Sequence, residues 1–163
     1  MQDYRPVGYV VGLMVMTLGA AMCLPLFVDM AEGAENWRVF AKSAVITMGI
    51  GAGVALACAG GDHDRLSIQQ TFLLTFGVWV TLPFFAALPY IFGVTQLGAT
   101  DAFFEAMSGL PTTGATVISG LDELPKGLLL WRGLTQWLGG IGIIVVAMVF
   151  LPELRVGGMQ IFR

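Results

Sequence analysis

Four stretches of this chain carry no charged side chain and are each long enough to make crossing a lipid bilayer the first reading. The first, PVGYVVGLMVMTLGAAMCLPLFV, lies between Arg5 and Asp29, and the second, SAVITMGIGAGVALACAGG, lies between Lys42 and Asp62. The third runs uninterrupted from Arg65 to Asp101, and the fourth follows Arg132 in LLLWRGLTQWLGGIGIIVVAMVFLP. At 1.5 Å per residue, about 20 apolar residues cross a hydrocarbon layer of ~30 Å. Only 12% of the residues are charged against 56% hydrophobic, with a mean hydropathy of +0.81. That is about half the charge a soluble domain uses to coat itself. The expected fold is an all-α membrane protein.

The first run is longer than the apolar segment of a cleaved signal peptide and lacks a convincing small-residue cleavage site, so it reads as a retained spanning helix. In the second run Gly49, Gly53, Ala57 and Gly61 recur every fourth residue, a smooth face on which another helix can pack closely. The third run is too long for one helix. Pro83 and Pro89 kink or end a helix expected over about 67–90, and GVTQLGAT follows as a connection. DAFFEAMSG, Asp101 to Gly109, has an N-terminal acid and a C-terminal glycine, the punctuation of a short helix over about 101–108. It is too short to span. The last span is expected over about 127–151, with Trp131 and Trp137 near its interfacial end and Pro152 closing it. The chain thus divides into an N-terminal helix pair (1–64) and a helix–loop–helix unit (65–163), with four spans and one half-helix.

Between the half-helix and the last span lies GLPTTGAT, Gly109 to Thr116. It matches both glycines and the final threonine of the phosphate-binding pattern G-x-x-x-x-G-K-[ST], but Ala115 stands where lysine belongs. No strand precedes it, and the helix before it points its carbonyl end, about half a negative charge, at the loop. A phosphate loop has the reverse polarity. A cation fits this arrangement. Neutral backbone carbonyls and threonine hydroxyls replace a hydration shell without holding the ion too tightly, and glycine permits the backbone turns that aim them. Irregular backbone at membrane depth is tolerated only against protein or a water-lined cavity, so the expected form is a re-entrant pore loop, residues 110–116.

Other features carry less. The net charge of −3 excludes nucleic-acid binding by general basicity. Alternating the spans divides the basic residues evenly between the two sides, so they do not orient the chain. Asp29, Glu32, Glu35, Asp101, Glu105, Asp122 and Glu123 all fall on the loop's side, an acidic vestibule that would gather cations. Glu105 either serves that vestibule or accepts bonds from the loop backbone. Arg132 either snorkels or pairs with Asp122 or Glu123. Gly139, Gly140 and Gly142 allow the last helix to pack tightly behind the loop. Cys23 and Cys58 sit toward opposite faces and do not pair. His63, in GGDHDR, reads as a solvated loop residue rather than a metal ligand, and Ser108 with His63 makes no hydrolase pair across a membrane. The methionines and Trp37, Trp79, Trp131 and Trp137 read as core and interface residues. No enzymatic constellation or cofactor motif is present.

The segment FFEAMSG-x-x-TTGATV followed by WR-x-x-x-QWLGGIGI resembles the first pore-forming repeat of the Trk/Ktr/HKT cation transporters, and within them the bacterial TrkH-type potassium uptake proteins. The two preceding spans resemble the extra N-terminal helix pair of that type. The resemblance implies one pore built from four helix–loop–helix repeats, with Gly114 the filter glycine. Thr112, Thr113 and Ala115 then give neighbouring carbonyls, and Thr116 stands at the outer end. Pro111 departs from the small hydroxyl residue more usual there; it removes an N–H and stiffens the entry strand. The resemblance further implies potassium as the transported ion, the bacterial inner membrane, a cytoplasmic nucleotide-binding regulatory subunit and a homodimer at full length. One repeat closes no ring, so the chain is expected to be an N-terminal fragment. The competing reading is a small non-transporting membrane scaffold or assembly subunit.

Overall fold

A computed structural model describes residues 4–60 and 66–155, with the side chains of 146, 147 and 149–155 outside that description. Gly61 and His63, both weighed above, lie outside the described residues. Among the described residues seven α-helices follow in order: α1 (Arg5–Ala21), α2 (Cys23–Ala31), α3 (Trp37–Cys58), α4 (Ile68–Ala86), α5 (Leu88–Phe92), α6 (Ala99–Gly109) and α7 (Lys126–Arg155). Four spans among these residues are long and apolar enough to cross a membrane: Arg5–Ala31, Trp37–Cys58, Ile68–Phe92 and Lys126–Val145. The all-helical, four-span reading holds, with the half-helix one to two residues longer at its ends than expected.

Prolines break two of the spans. Pro25 lacks the N–H that would bond to Ala21, and the first span is interrupted at Met22, whose own N–H is shared between the Leu18 and Gly19 carbonyls at 3.2 Å each. Pro83 lies inside α4, which gives way to α5 at Ala87, and Pro89 sits in the first turn of α5. A Ser67 capping box opens α4, with Ser67 Oγ accepting from Gln70 N and Gln70 Oε1 accepting from Ser67 N. Pro152 does not end α7: the main chain stays helical to Arg155, since one missing N–H removes a single bond and not the rest of the helix.

The N-terminal hairpin packs through a different small-residue face from the one expected. Gly49, Gly53 and Ala57 are exposed, and a Cβ on Gly49 or Gly53 would meet nothing within 4 Å. The buried face of α3 is Phe40, Ser43, Ala44, Thr47, Gly51 and Ala55. There Gly12 and Gly51 cross so closely that a Cβ on Gly12 would lie 2.6 Å from the Ala55 nitrogen. Two small-residue stripes share α3, and the one offset by two positions supplies the contact, where Gly51 meets Gly12. Cys23 and Cys58 are free thiols. Trp131 is fully buried rather than interfacial, edge-on to Phe40 with ring centroids 6.2 Å apart, and its indole N–H donates to the Ala86 carbonyl at 3.0 Å. Trp137 is exposed.

Candidate functional site: a loop of main-chain oxygens

The segment after α6 folds back onto the end of its own helix. Thr112 N–H donates to Gly109 O at 3.0 Å, and both Thr113 N–H (3.0 Å) and Gly114 N–H (3.3 Å) donate to Ser108 O. Every peptide here is trans, so each inward N–H sets the carbonyl of the preceding residue outward. The oxygens of Pro111, Thr112 and Thr113 therefore turn away from the half-helix. Val117 N–H points inward to Glu105 at 3.1 Å, which turns the Thr116 oxygen outward too. None of these four carbonyls accepts a hydrogen bond among the described residues. Two left-handed residues make the turn possible: Gly114, φ +78°, and Thr112, φ +62°. A β-branched residue in that region is strained, and the Thr112–Gly109 bond holds it there.

Not every oxygen named from the sequence is equally disposed. Ser108 Oγ donates to the Ala115 carbonyl at 2.6 Å. The Thr116 hydroxyl donates to the Glu105 carboxylate at 2.9–3.0 Å and accepts from Ile118 N–H at 3.0 Å. Thr112 to Thr116 are all exposed on the surface of this chain.

Behind the loop stands an ion pair. Glu105, its side chain 1% exposed, receives Arg132 Nε at 2.9 Å and Nη2 at 2.8 Å on one oxygen while its other oxygen holds Val117 N–H. Tyr90, Gly109, Thr135 and Gln136 line the same crevice. Arg132 thus pairs with neither Asp122 nor Glu123, and of the two roles weighed for Glu105 it takes the bonds from the loop. A signal for this was present in the sequence. An acid inside an apolar segment demands a cation, and between the half-helix and the end of the last span the choices are Lys126 and Arg132.

α7 supports the loop from below. A Cβ on Gly139 would overlap the Leu110 carbonyl oxygen and stand 2.5 Å from its carbon, and one on Gly140 would touch the Thr112 methyl at 3.8 Å. Of this glycine group, the tight packing expected belongs to Gly139; Gly140 leaves room for an ordinary contact, and Gly142 has nothing within 4 Å. At its N-terminus α7 is held by Asp29, fully buried, whose carboxylate accepts from Gly127 N–H at 2.7 Å and Asn36 Nδ2 at 3.1 Å. Asp29 and Glu105 therefore leave the acidic vestibule, because both are inside the protein and engaged. Glu32 forms an exposed bridge to Lys126 at 2.8 Å. Glu35, Asp101, Asp122 and Glu123 remain exposed.

Apolar helices of spanning length, with a short helix that presents bare carbonyls on a tethered loop, define a multi-pass helical membrane protein. The chain belongs to the TrkH family of cation transport proteins, whose family model matches residues 36–163. It is 38% identical over its whole length to the Trk system potassium uptake protein TrkI of Halomonas elongata, covering 33% of that protein. It is 39% identical over 98% of its length to TrkH of Salmonella typhimurium, again 33% of that protein. The crystal structure of the potassium transporter TrkH from Vibrio parahaemolyticus superposes with a TM-score of 0.87 at 35% identity, over 98% of this chain and 34% of that one. The chain spans about a third of the length of the curated relatives it matches.

Proposed function

We propose that this chain contributes one helix–loop–helix repeat to a potassium-uptake transporter of the bacterial inner membrane. In that reading Thr112, Thr113, Gly114, Ala115 and Thr116 supply one quarter of a selectivity filter. The outward row of unpartnered carbonyls carries the proposal. Lone pairs that find no donor among the described residues are costly to desolvate unless something replaces water, and a monovalent cation does so. The Ala115 oxygen, already holding Ser108, is the weakest member of the set, and Thr116 acts through its carbonyl. The names of the relatives support potassium as the ion, and their threefold greater length supports a ring completed by further repeats. The division of the chain at 64/65, the re-entrant depth of the loop, a cytoplasmic nucleotide-binding subunit and a homodimer belong to the same proposal. Ions would be driven inward by the membrane potential, about 2.3 kcal/mol per charge per 100 mV.

The test is potassium and sodium uptake by the full-length transporter containing this chain, in cells lacking other potassium uptake. Gly114→Ser places a Cβ at φ +78° and should reduce the preference for potassium over sodium. An unchanged uptake ratio in a correctly inserted variant refutes the filter reading.

A further inference from the structure

We infer that the buried Glu105–Arg132 pair is a positioning device for ion selectivity, in which the carboxylate holds the outer end of the loop through the Thr116 hydroxyl and the Val117 N–H and the guanidinium holds the carboxylate. The inference rests on the filter reading above and names residues outside the loop that set its preference.

The argument starts from what the carboxylate is bonded to. Glu105 is on α6, nine residues before Gly114 in the chain, yet it reaches the loop's far end. Its oxygens accept the Thr116 hydroxyl and the Val117 N–H, so two consecutive residues are tied to one rigid helix. The Thr116 hydroxyl in turn accepts the Ile118 N–H, which extends the tie to a third residue. Because the Val117 N–H is held inward, the Thr116 carbonyl is held outward. Charge-assisted bonds are shorter and roughly twice as strong as neutral ones, so this is the stiffest attachment the loop has on that side. The loop's remaining ties among the described residues are neutral: main-chain bonds to Ser108 and Gly109, and the Ser108 hydroxyl on the Ala115 carbonyl.

Arg132 then decides what the carboxylate does. An unpaired carboxylate in this crevice would attract any cation, sodium as readily as potassium. With Nε and Nη2 both on Glu105 Oε1, the pair is neutral as a unit and adds geometry rather than field. Two donors from one planar fork fix the place of Oε1 where a lysine ammonium would define only a distance, and the Val117 N–H on Oε2 then sets the carboxylate's rotation. α7 carries Arg132, so the loop's outer end is referenced to two helices at once. Discrimination between two ions of equal charge depends on how carbonyls are placed and how freely they move. A clamp of this kind acts on that property.

The two possible roles of the pair give opposite signatures. Glu105→Gln leaves Arg132 uncompensated, and Arg132→Gln leaves Glu105 uncompensated. A role through charge would move uptake in opposite directions for the two variants. A role through position lowers the potassium-to-sodium preference in both.

The experiment measures potassium and sodium uptake by the full-length transporter carrying Glu105→Gln, Arg132→Gln, the double variant, Arg132→Lys, Thr116→Val or Gly114→Ser. Membrane-inserted protein is quantified for each. Each single charge variant is expected to lose about tenfold in preference, the value of one charge-assisted hydrogen bond. The double variant should lose no more than either single, because both act through one clamp. Arg132→Lys should recover part of the loss. Opposite shifts for Glu105→Gln and Arg132→Gln, or unchanged preference in inserted protein, overturn the inference. Should the charge variants fail to insert, Thr116→Val decides: it removes the hydroxyl's bond to Glu105 and its bond from the Ile118 N–H but no charge, with an expected loss of about tenfold from one charge-assisted hydrogen bond. Unchanged preference in that variant overturns the inference as well. If Gly114→Ser also leaves the preference intact, the filter reading itself has failed; if Gly114→Ser alone alters it, only the clamp has.

Discussion

Replacing Gly139 by alanine adds one methyl group to a helix, a change that ordinarily stabilises by about 1 kcal/mol through backbone propensity. At this position the methyl has nowhere to go. An ideal Cβ on Gly139 overlaps the Leu110 carbonyl oxygen and stands 2.5 Å from its carbon and 2.8 Å from its Cα. All three atoms are backbone, so no rotamer change relieves the contact. Either α7 retreats or the end of α6 shifts, and overpacking of this kind costs about 1–3 kcal/mol. With the clash on backbone the upper end applies, which leaves a net destabilisation of about 2 kcal/mol after the propensity gain. The functional effect should exceed the stability effect, because Leu110 begins the loop and a displacement of about 1 Å can cost a hundredfold where geometry is critical. Gly133→Ala is the internal control. It lies on the same helix, and its Cβ meets nothing within 4 Å. The assay is thermal unfolding of the detergent-solubilised full-length transporter together with its potassium-to-sodium uptake ratio. Gly139→Ala should melt lower than wild type and lose ion preference, while Gly133→Ala should match or exceed wild type in both. Equal behaviour of the two variants would refute the reasoning that α7 is the floor of the loop.

Asp29→Ala should lower thermal stability by about 3 kcal/mol, since a buried carboxylate that accepts from Gly127 N–H and Asn36 Nδ2 leaves both donors bare when it goes; Asp29→Asn, which keeps one acceptor oxygen, should lose less. Lys126→Ala should change the melting temperature little, because its 2.8 Å bridge to Glu32 joins side chains 67% and 48% exposed, and such pairs contribute about 0–1 kcal/mol. Thr112→Gly should raise stability by about 1 kcal/mol by removing the strain of φ +62°, while lowering the uptake ratio by freeing the loop entrance. A simultaneous gain in both would show that the strained conformation has no part in ion preference.

The parts of this fold that were legible in the sequence are those governed by solvent. Runs without charge locate the four spans, and the acid and glycine bounding Asp101–Gly109 locate the half-helix, because burial in lipid and helix punctuation are local rules. Partner choice is not local. Gly49 and Gly51 are indistinguishable by residue type, and which stripe of α3 meets α1 depends on the crossing with Gly12. The Glu105–Arg132 pair was half visible: each residue was singled out, but their pairing depends on where α6 stands against α7. Trp131 looked interfacial from its place in the chain. The deciding fact was the Ala86 carbonyl, which the indole N–H reaches beside the helix break before Pro89. Ser108 gave no usable signal, since a serine near a glycine turn is ordinary and its bond to Ala115 O exists only after the loop has folded back.

In lipid, neighbouring helices gain nothing by hiding apolar surface from one another, so their arrangement rests on close backbone approach and on polar ties. Here those ties converge on α7. Asp29 in α2 reaches Gly127, Ala86 in α4 receives Trp131, Glu105 in α6 receives Arg132, and Leu110 at the loop entrance rests on Gly139. The contact residues follow one another along a single helix from its first turn to its middle. The loop is therefore positioned by one element that is itself tied to the N-terminal hairpin and the proline-broken span. A substitution at Asp29, distant in sequence from Thr112, acts on the same helix that carries Arg132 and Gly139. Its effect on ion preference should accordingly be larger than that of any equally destabilising change confined to the exposed face of α3.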